Sequence, residues 1–272
     1  MQALKPFEYF EPRTVEEAVR VLFMYGEKAK VLAGGVDLVP RMRQRKIKPE
    51  CVVSINGITA LNYIKSNRAG LRIGALTALR AIELSPVVQR DYMVLYEAIR
   101  GIASTQVKSM GTAVGNLCVA TPASDVAPPL SVLGAKLKIA STAAERAIPI
   151  ENLFIGVSKT ILQPGEIVTE ILLPRPLPKT GSAFLKLVRT AADIAKVNVA
   201  VTVTIADDIF KEAKIALGSV APTLIRARKA ETALRGKKFD QAKVNQFQYS
   251  IGCDLKIARL DVAVKNWRIL TV

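Results

Sequence analysis

Apolar positions along this chain switch repeatedly between helical and strand spacing. Thr14-Val-Glu-Glu17 has the form of a capping box, and Val15, Ala18, Val19, Leu22 and Phe23 then recur at helical intervals up to Gly26. An apolar run at 29–33 predicts a short buried strand leading into Gly34-Gly35, and Asp37 stands where it would cap a short helix reaching about residue 44. A second apolar run at 51–55 completes an opening α/β unit. Residues 61–65 and 71–74 predict a hairpin around Asn67-Arg-Ala-Gly70. Helical spacing returns near 78–84 and 92–102. Pro128-Pro129 suits the first turn of a helix ending at Gly134, and 135–140 alternates as a half-exposed strand.

The clearest break is Pro174-Arg-Pro176-Leu-Pro178-Lys-Thr-Gly181, where three prolines and a glycine predict a stiff exposed linker. It divides the chain into 1–176 and 177–272. Beyond it, 183–188, 198–205 and 212–220 read as three strands, followed by helical stretches near 224–235 and 240–251. Strands followed by helices predict a small α+β domain.

The chain has 272 residues, half of them hydrophobic, enough for a substantial core in one large domain or two smaller ones. No apolar run is long enough to span a bilayer, and the start lacks a basic-then-apolar signal, so the expected location is the cytoplasm. The cysteines, Cys51, Cys118 and Cys253, are odd in number and far apart, and there is no histidine. No cluster or zinc ligand set follows, and buried free thiols are expected. The missing histidine also removes Ser-His-Asp and Cys-His schemes. Any chemistry must then come from carboxylates, lysine, tyrosine or a cofactor, which tilts the balance toward a cofactor.

A net charge of +16 raises the question of polyanions. The densest basic stretches are Arg41-Met-Arg43-Gln-Arg45-Lys46-Ile-Lys48 and the set Arg226, Arg228, Lys229, Arg235, Lys237 and Lys238. Neither is interleaved with aromatics, so a solvated face ranks first, a surface for an acidic partner subunit second, and nucleic acid a distant third.

Two glycine-centred loops carry the chemistry: Leu32-Ala33-Gly34-Gly35-Val36-Asp37-Leu38 and Gly111-Thr112-Ala113-Val114-Gly115-Asn116-Leu117, the second running into Ala120-Thr121-Pro122-Ala123-Ser124-Asp125. Each follows an apolar segment and precedes a helix start, where free N–H groups and a missing Cβ favour a close anion. Two such loops predict a cofactor with two phosphates. The G-x-G-x-x-G fingerprint is absent from both, which disfavours an NAD-type fold. Asp125 reads either as a helix cap or as an acceptor for a ribityl or ribose hydroxyl.

These loops resemble the FAD-binding subunit of the molybdenum hydroxylases, the family containing xanthine dehydrogenase and the aerobic carbon-monoxide dehydrogenase medium subunit. The likeness is carried by Ala33-Gly-Gly-Val-Asp-Leu38, Gln106-Val-Lys-Ser-Met-Gly-Thr-Ala-Val-Gly-Asn116, Thr121-Pro-Ala-Ser-Asp125 and Lys186-Leu-Val-Arg189 with Asp193-Ile-Ala195. Leu71-Arg-Ile-Gly-Ala75 and Pro164-Gly-Glu-Ile-Val168 add to it. The resemblance implies a two-lobed α/β FAD-binding domain of the PCMH type, followed by a small α+β C-terminal flavoprotein domain. It implies FAD as cofactor, electrons received from a [2Fe–2S] small subunit that drains a molybdopterin large subunit, and an external acceptor.

Carried over by position, Val31, Leu32, Ala33, Gly34, Gly35, Val36, Asp37 and Leu38 would wrap the pyrophosphate. Thr112, Ala113, Val114, Gly115 and Asn116 would close from the other side. Thr121 and Asp125 would meet the ribityl or adenosine part, Val168 would pack near the adenine, and Lys186 would approach the flavin ring. For Lys186 a surface place on an edge strand is the competing reading. Val114 stands where the family has a glycine, and Val36 where a hydroxyl or amide residue is usual. These two departures keep open a cofactor-free structural subunit; the net charge keeps open a polyanion-binding protein.

Overall fold

The computed structural model describes residues 4–238. The expected helix near 240–251 and Cys253 lie outside the described residues. The opening unit is β1 (Glu8–Phe10), α1 (Val15–Tyr25), β2 (Ala29–Leu32), α2 (Leu38–Arg43) and β3 (Cys51–Ser54). Its three strands are parallel in the order β1-β3-β2, with the wholly buried β3 in the centre. The Thr14 hydroxyl caps α1 by accepting from the Glu17 N–H at 3.2 Å. Ala18, Val19 and Leu22 are buried beneath that helix, whereas Phe23 is 66% exposed and forms no part of the core.

The second lobe is built on a five-stranded antiparallel sheet. It uses β4 (Ile64–Asn67), β5 (Gly70–Gly74), then helices α3 (Leu79–Leu84), α4 (Pro86–Asp91), α5 (Met93–Arg100), α6 (Thr105–Met110), α7 (Ala113–Cys118) and α8 (Ala127–Val132). The strands β6 (Lys136–Ala140), β7 (Glu145–Pro149), the hairpin β8 (Phe154–Gly156) and β9 (Lys159–Thr160), and β10 (Ile167–Pro174) follow. The order β4-β5-β10-β6-β7 places the nearly all-buried β10 in the middle. Ile73, Leu137, Ile139 and Ile171 from this sheet share one core with Leu95, Ile99, Leu117 and Leu130 of the helices. One continuous core therefore underlies both lobes.

Residues 175–179 connect β10 to β11 (Thr180–Leu187), which pairs with β12 (Val197–Ala206), β13 (Ile209–Gly218) and β14 (Ile225–Arg226), with α9 (Arg228–Leu234) last. This sheet has four strands where three were expected. Residues 225–226 pair with Ala216 and Leu217 rather than starting the helix. The cause is tertiary: the Arg226 guanidinium is held between Glu231 at 2.8 Å and Glu151 at 3.1 Å, so this arginine is buried and leaves the expected basic patch. The β12–β13 hairpin turns through Asp207 and Asp208, both at positive φ, as a type I′ turn requires.

β12 is buried on both faces. Val199, Val201, Val203 and Ile205 share a cluster with Leu234, while Ala200 packs with Val94 of α5 and Val132 of α8. The C-terminal sheet thus rests on the helices of the preceding lobe. Among the described residues no helix is long and apolar enough to cross a membrane.

Candidate functional site

The first glycine loop leaves β2 and turns into α2. Its approach to the second loop is set by Gly34: a β-carbon there would lie 1.9 Å from the Met110 carbonyl oxygen, so only glycine fits. Val36 leans on the far side, its Cγ2 3.6 Å from where a Gly111 β-carbon would stand. Asn56, not anticipated from the sequence, holds the loop from behind by donating to the Ala33 carbonyl at 3.2 Å. The two loops are therefore packed against each other.

Within the first loop, the amide N–H groups of Gly34, Gly35, Val36 and Asp37 have no acceptor among the described residues. Four consecutive N–H groups without a protein acceptor are a donor set suited to an anion such as phosphate. Asp37 occupies the cap position of α2 but makes no side-chain cap; its carboxylate pairs with Arg41 at 3.3 Å instead. A cleft of roughly 400 Å³ opens beside them, with Val36, Asp37, Arg41 and Lys46 on one side and Val119, Thr121 and Ser158 on the other. Arg41 and Lys46 against the single carboxylate of Asp37 leave the rim net positive, which suits an anionic occupant. Donor set, cleft and charge fit the diphosphate portion of FAD.

The second loop behaves differently. Thr112 caps α7, its hydroxyl accepting from the Gly115 N–H at 2.9 Å, and a β-carbon at Gly115 would press to 2.8 Å on that oxygen. Ala113 and Val114 are buried residues of α7. Val114 points into the main core, so it neither needs positive φ nor obstructs the cleft, and the ground it offered for a cofactor-free subunit disappears. The Asn116 side-chain oxygen Oδ1 accepts from the Ser124 hydroxyl at 2.6 Å.

Asp125 does not cap α8: its two oxygens accept from Asn198 Nδ2 and Lys186 Nζ, each at 2.7 Å. Lys186 is not a surface residue: its side chain is 10% exposed, and Nζ also donates to the Gly101 carbonyl. Val168 is buried in the central strand β10, inside the main core and away from the cleft walls. Cys51 is buried but Cys118 is exposed, against the expectation of buried thiols. Val31 and Leu32 belong to β2, with Val31 37% exposed, and Leu38 starts α2.

Asn198 is the residue that sequence reading passed over. A lone asparagine inside the run 197–205 was the available signal, because a buried amide in an apolar strand requires a partner.

The comparisons agree with this architecture. Residues 5–176 match the family described as the FAD binding domain in molybdopterin dehydrogenase, and 182–268 match the CO dehydrogenase flavoprotein C-terminal domain. The chain therefore belongs to the FAD-binding medium subunits of the molybdenum hydroxylases, an oxidoreductase family with FAD as its cofactor. It is 35% identical to the carbon monoxide dehydrogenase medium chain of Hydrogenophaga pseudoflava, over 88% of this chain and 83% of that one. It is 30% identical to the glyceraldehyde dehydrogenase medium chain of Sulfolobus acidocaldarius, over 92% and 88%. Against the solved carbon monoxide dehydrogenase of H. pseudoflava the TM-score is 0.86, covering 89% of this chain and 85% of that one.

Proposed function

We propose that this subunit carries electrons from a [2Fe–2S] small subunit to an external acceptor, with substrate oxidised on a molybdopterin large subunit. The observation that supports it most is the row of four acceptor-free amides at 34–37 beside a cleft rimmed by Arg41 and Lys46. When bound, FAD supplies the redox chemistry, and the protein supplies binding, orientation and electrostatics. Gly34, Gly35, Val36 and Asp37 hold the diphosphate through backbone N–H groups. Arg41 screens the Asp37 carboxylate, and Lys46 adds positive charge at the same rim. Thr121, on the opposite wall, offers its hydroxyl to the ribityl or adenosine part.

The absence of histidine is consistent with a subunit that performs no acid–base catalysis of its own. Residues 1–176 form the FAD-binding domain and 177–272 the C-terminal domain in this reading. We place the complex in the cytoplasm, supported by the free thiols at Cys51 and Cys118.

The test is made on the full chain with its co-expressed partner subunits. Extraction should release about one FAD per chain. Anaerobic addition of the complex's substrate should bleach the flavin absorbance near ~450 nm only when the cluster-bearing subunit is present. Bleaching of the isolated chain by substrate would overturn the electron-transfer assignment.

A further inference from the structure

Three residues stand in one row across the C-terminal sheet. Lys186 on β11 lies opposite Asn198 on β12, and Asn198 lies opposite Gly218 on β13. Asn198 has no exposure to solvent, and its amide is directed off the sheet onto the 120–125 loop. Nδ2 donates to the Ser124 carbonyl at 3.1 Å and to Asp125 Oδ1 at 2.7 Å, while Lys186 Nζ takes Asp125 Oδ2. The amide cannot be reversed, since Oδ1 would then face the carboxylate. Gly218 leaves room for it: a β-carbon there would lie 2.2 Å from Asn198 Oδ1.

The rest of the loop is tied as well. The Ala120 carbonyl accepts from the Ser158 N–H at 2.9 Å and the Pro122 carbonyl from the Ser219 N–H at 2.8 Å. With Ser124, every second carbonyl from 120 to 124 is bonded. Thr121 stays facing the cleft, and the Ser124 hydroxyl passes the constraint to Asn116 of α7.

We propose that Lys186, Asn198 and Gly218 form a clamp by which the C-terminal sheet positions the 116–121 wall of the cofactor cleft. They are positioning residues, and none of them lines the cleft. With FAD seated as proposed above, the clamp governs how long it stays bound. Order in this wall is then supplied by the C-terminal domain.

The experiment uses the full chain and two readouts: amide hydrogen exchange of residues 116–124 without FAD, and the rate of FAD release. Asn198→Leu removes the donor; Gly218→Ala displaces it without backbone strain, because Gly218 is not at positive φ. Each should raise exchange and speed FAD release by about tenfold, the scale of one lost hydrogen bond. Lys186→Met should do the same, and Lys186→Arg, which keeps a cation on Asp125, should recover most of the loss. Glu231→Gln, which breaks a buried pair with Arg226 in the same domain but touches nothing in the loop, should lower the melting temperature and leave both readouts unchanged. Should Asn198→Leu fail to fold, Gly218→Ala decides. Unchanged exchange in Gly218→Ala, or equal effects in Glu231→Gln, would overturn the clamp. A wild-type chain that retains no FAD would instead overturn the FAD reading, with exchange still deciding the clamp.

Discussion

The two glycine loops look alike as sequence and do opposite things as structure. The first offers its donors outward: four consecutive amides have no protein acceptor, and its charged side chains line an open cleft. The second commits side chains to the protein itself, through the Thr112 cap, the Asn116–Ser124 bond and the Asp125–Lys186 pair. A loop with unused hydrogen-bonding groups is built to receive something. A loop whose side chains are committed to the protein is built to hold a shape. Proximity to a cofactor site does not distinguish these roles; the accounting of hydrogen bonds does.

The sharpest way to break this comparison is Asp125→Asn. It leaves the buried Lys186 ammonium without its counter-charge, and removal of one partner of such a pair costs about 3–5 kcal/mol. A thermal melt of the full chain should show that loss, and an unchanged melt would mean the second loop is not internally held. Next in size is Gly34→Ala, where the added methyl collides with the Met110 carbonyl and forces the loops apart, costing about 2–3 kcal/mol. Flavin content should fall with it, and a variant that keeps its flavin would show that contact between the loops is dispensable.

Thr112→Ala removes only a helix cap and should cost about 1 kcal/mol in chemical denaturation, with a smaller effect on FAD. Tyr63→Phe serves as a reference away from both loops, costing about 1 kcal/mol with no change in FAD affinity. Burial and the hydrogen bond to Glu170 push the Tyr63 phenol up to about 12. A raised pKa means that its contribution is complete below the unfolded value near 10 and is lost as pH rises through about 12. The variant should therefore differ from wild type at neutral pH and converge with it in strong alkali. Arg41→Gln should be mildest: FAD affinity falls about threefold, and the difference shrinks in high salt because this pair is exposed. Salt-independent weakening would point to a packing role for Arg41.

Much of the fold was readable because local signals agreed with the final packing. Thr14 and Gly26 bound α1, the prolines at 128 and 129 open α8, and alternation marks β11 to β13. The misreadings share a cause. Residues 225–226 carry no strand signal of their own and become β14 because Glu151, far away in sequence, helps to anchor Arg226. Asp125 resembles a helix cap until a lysine 61 positions later takes its carboxylate.

The sequence by itself determined the two glycine-centred loop motifs, the strand spacing of three of the four C-terminal strands, and, through the missing histidine, the exclusion of His-dependent catalysis. Those properties are written in residue type and short spacing. Only the tertiary structure decided which loop presents its amides and which is locked, and that Lys186 and Asn198 reach Asp125 from another sheet. The physical reason is that a polar group's role depends on whether a partner meets it after folding, and those partners are brought together by packing between distant segments.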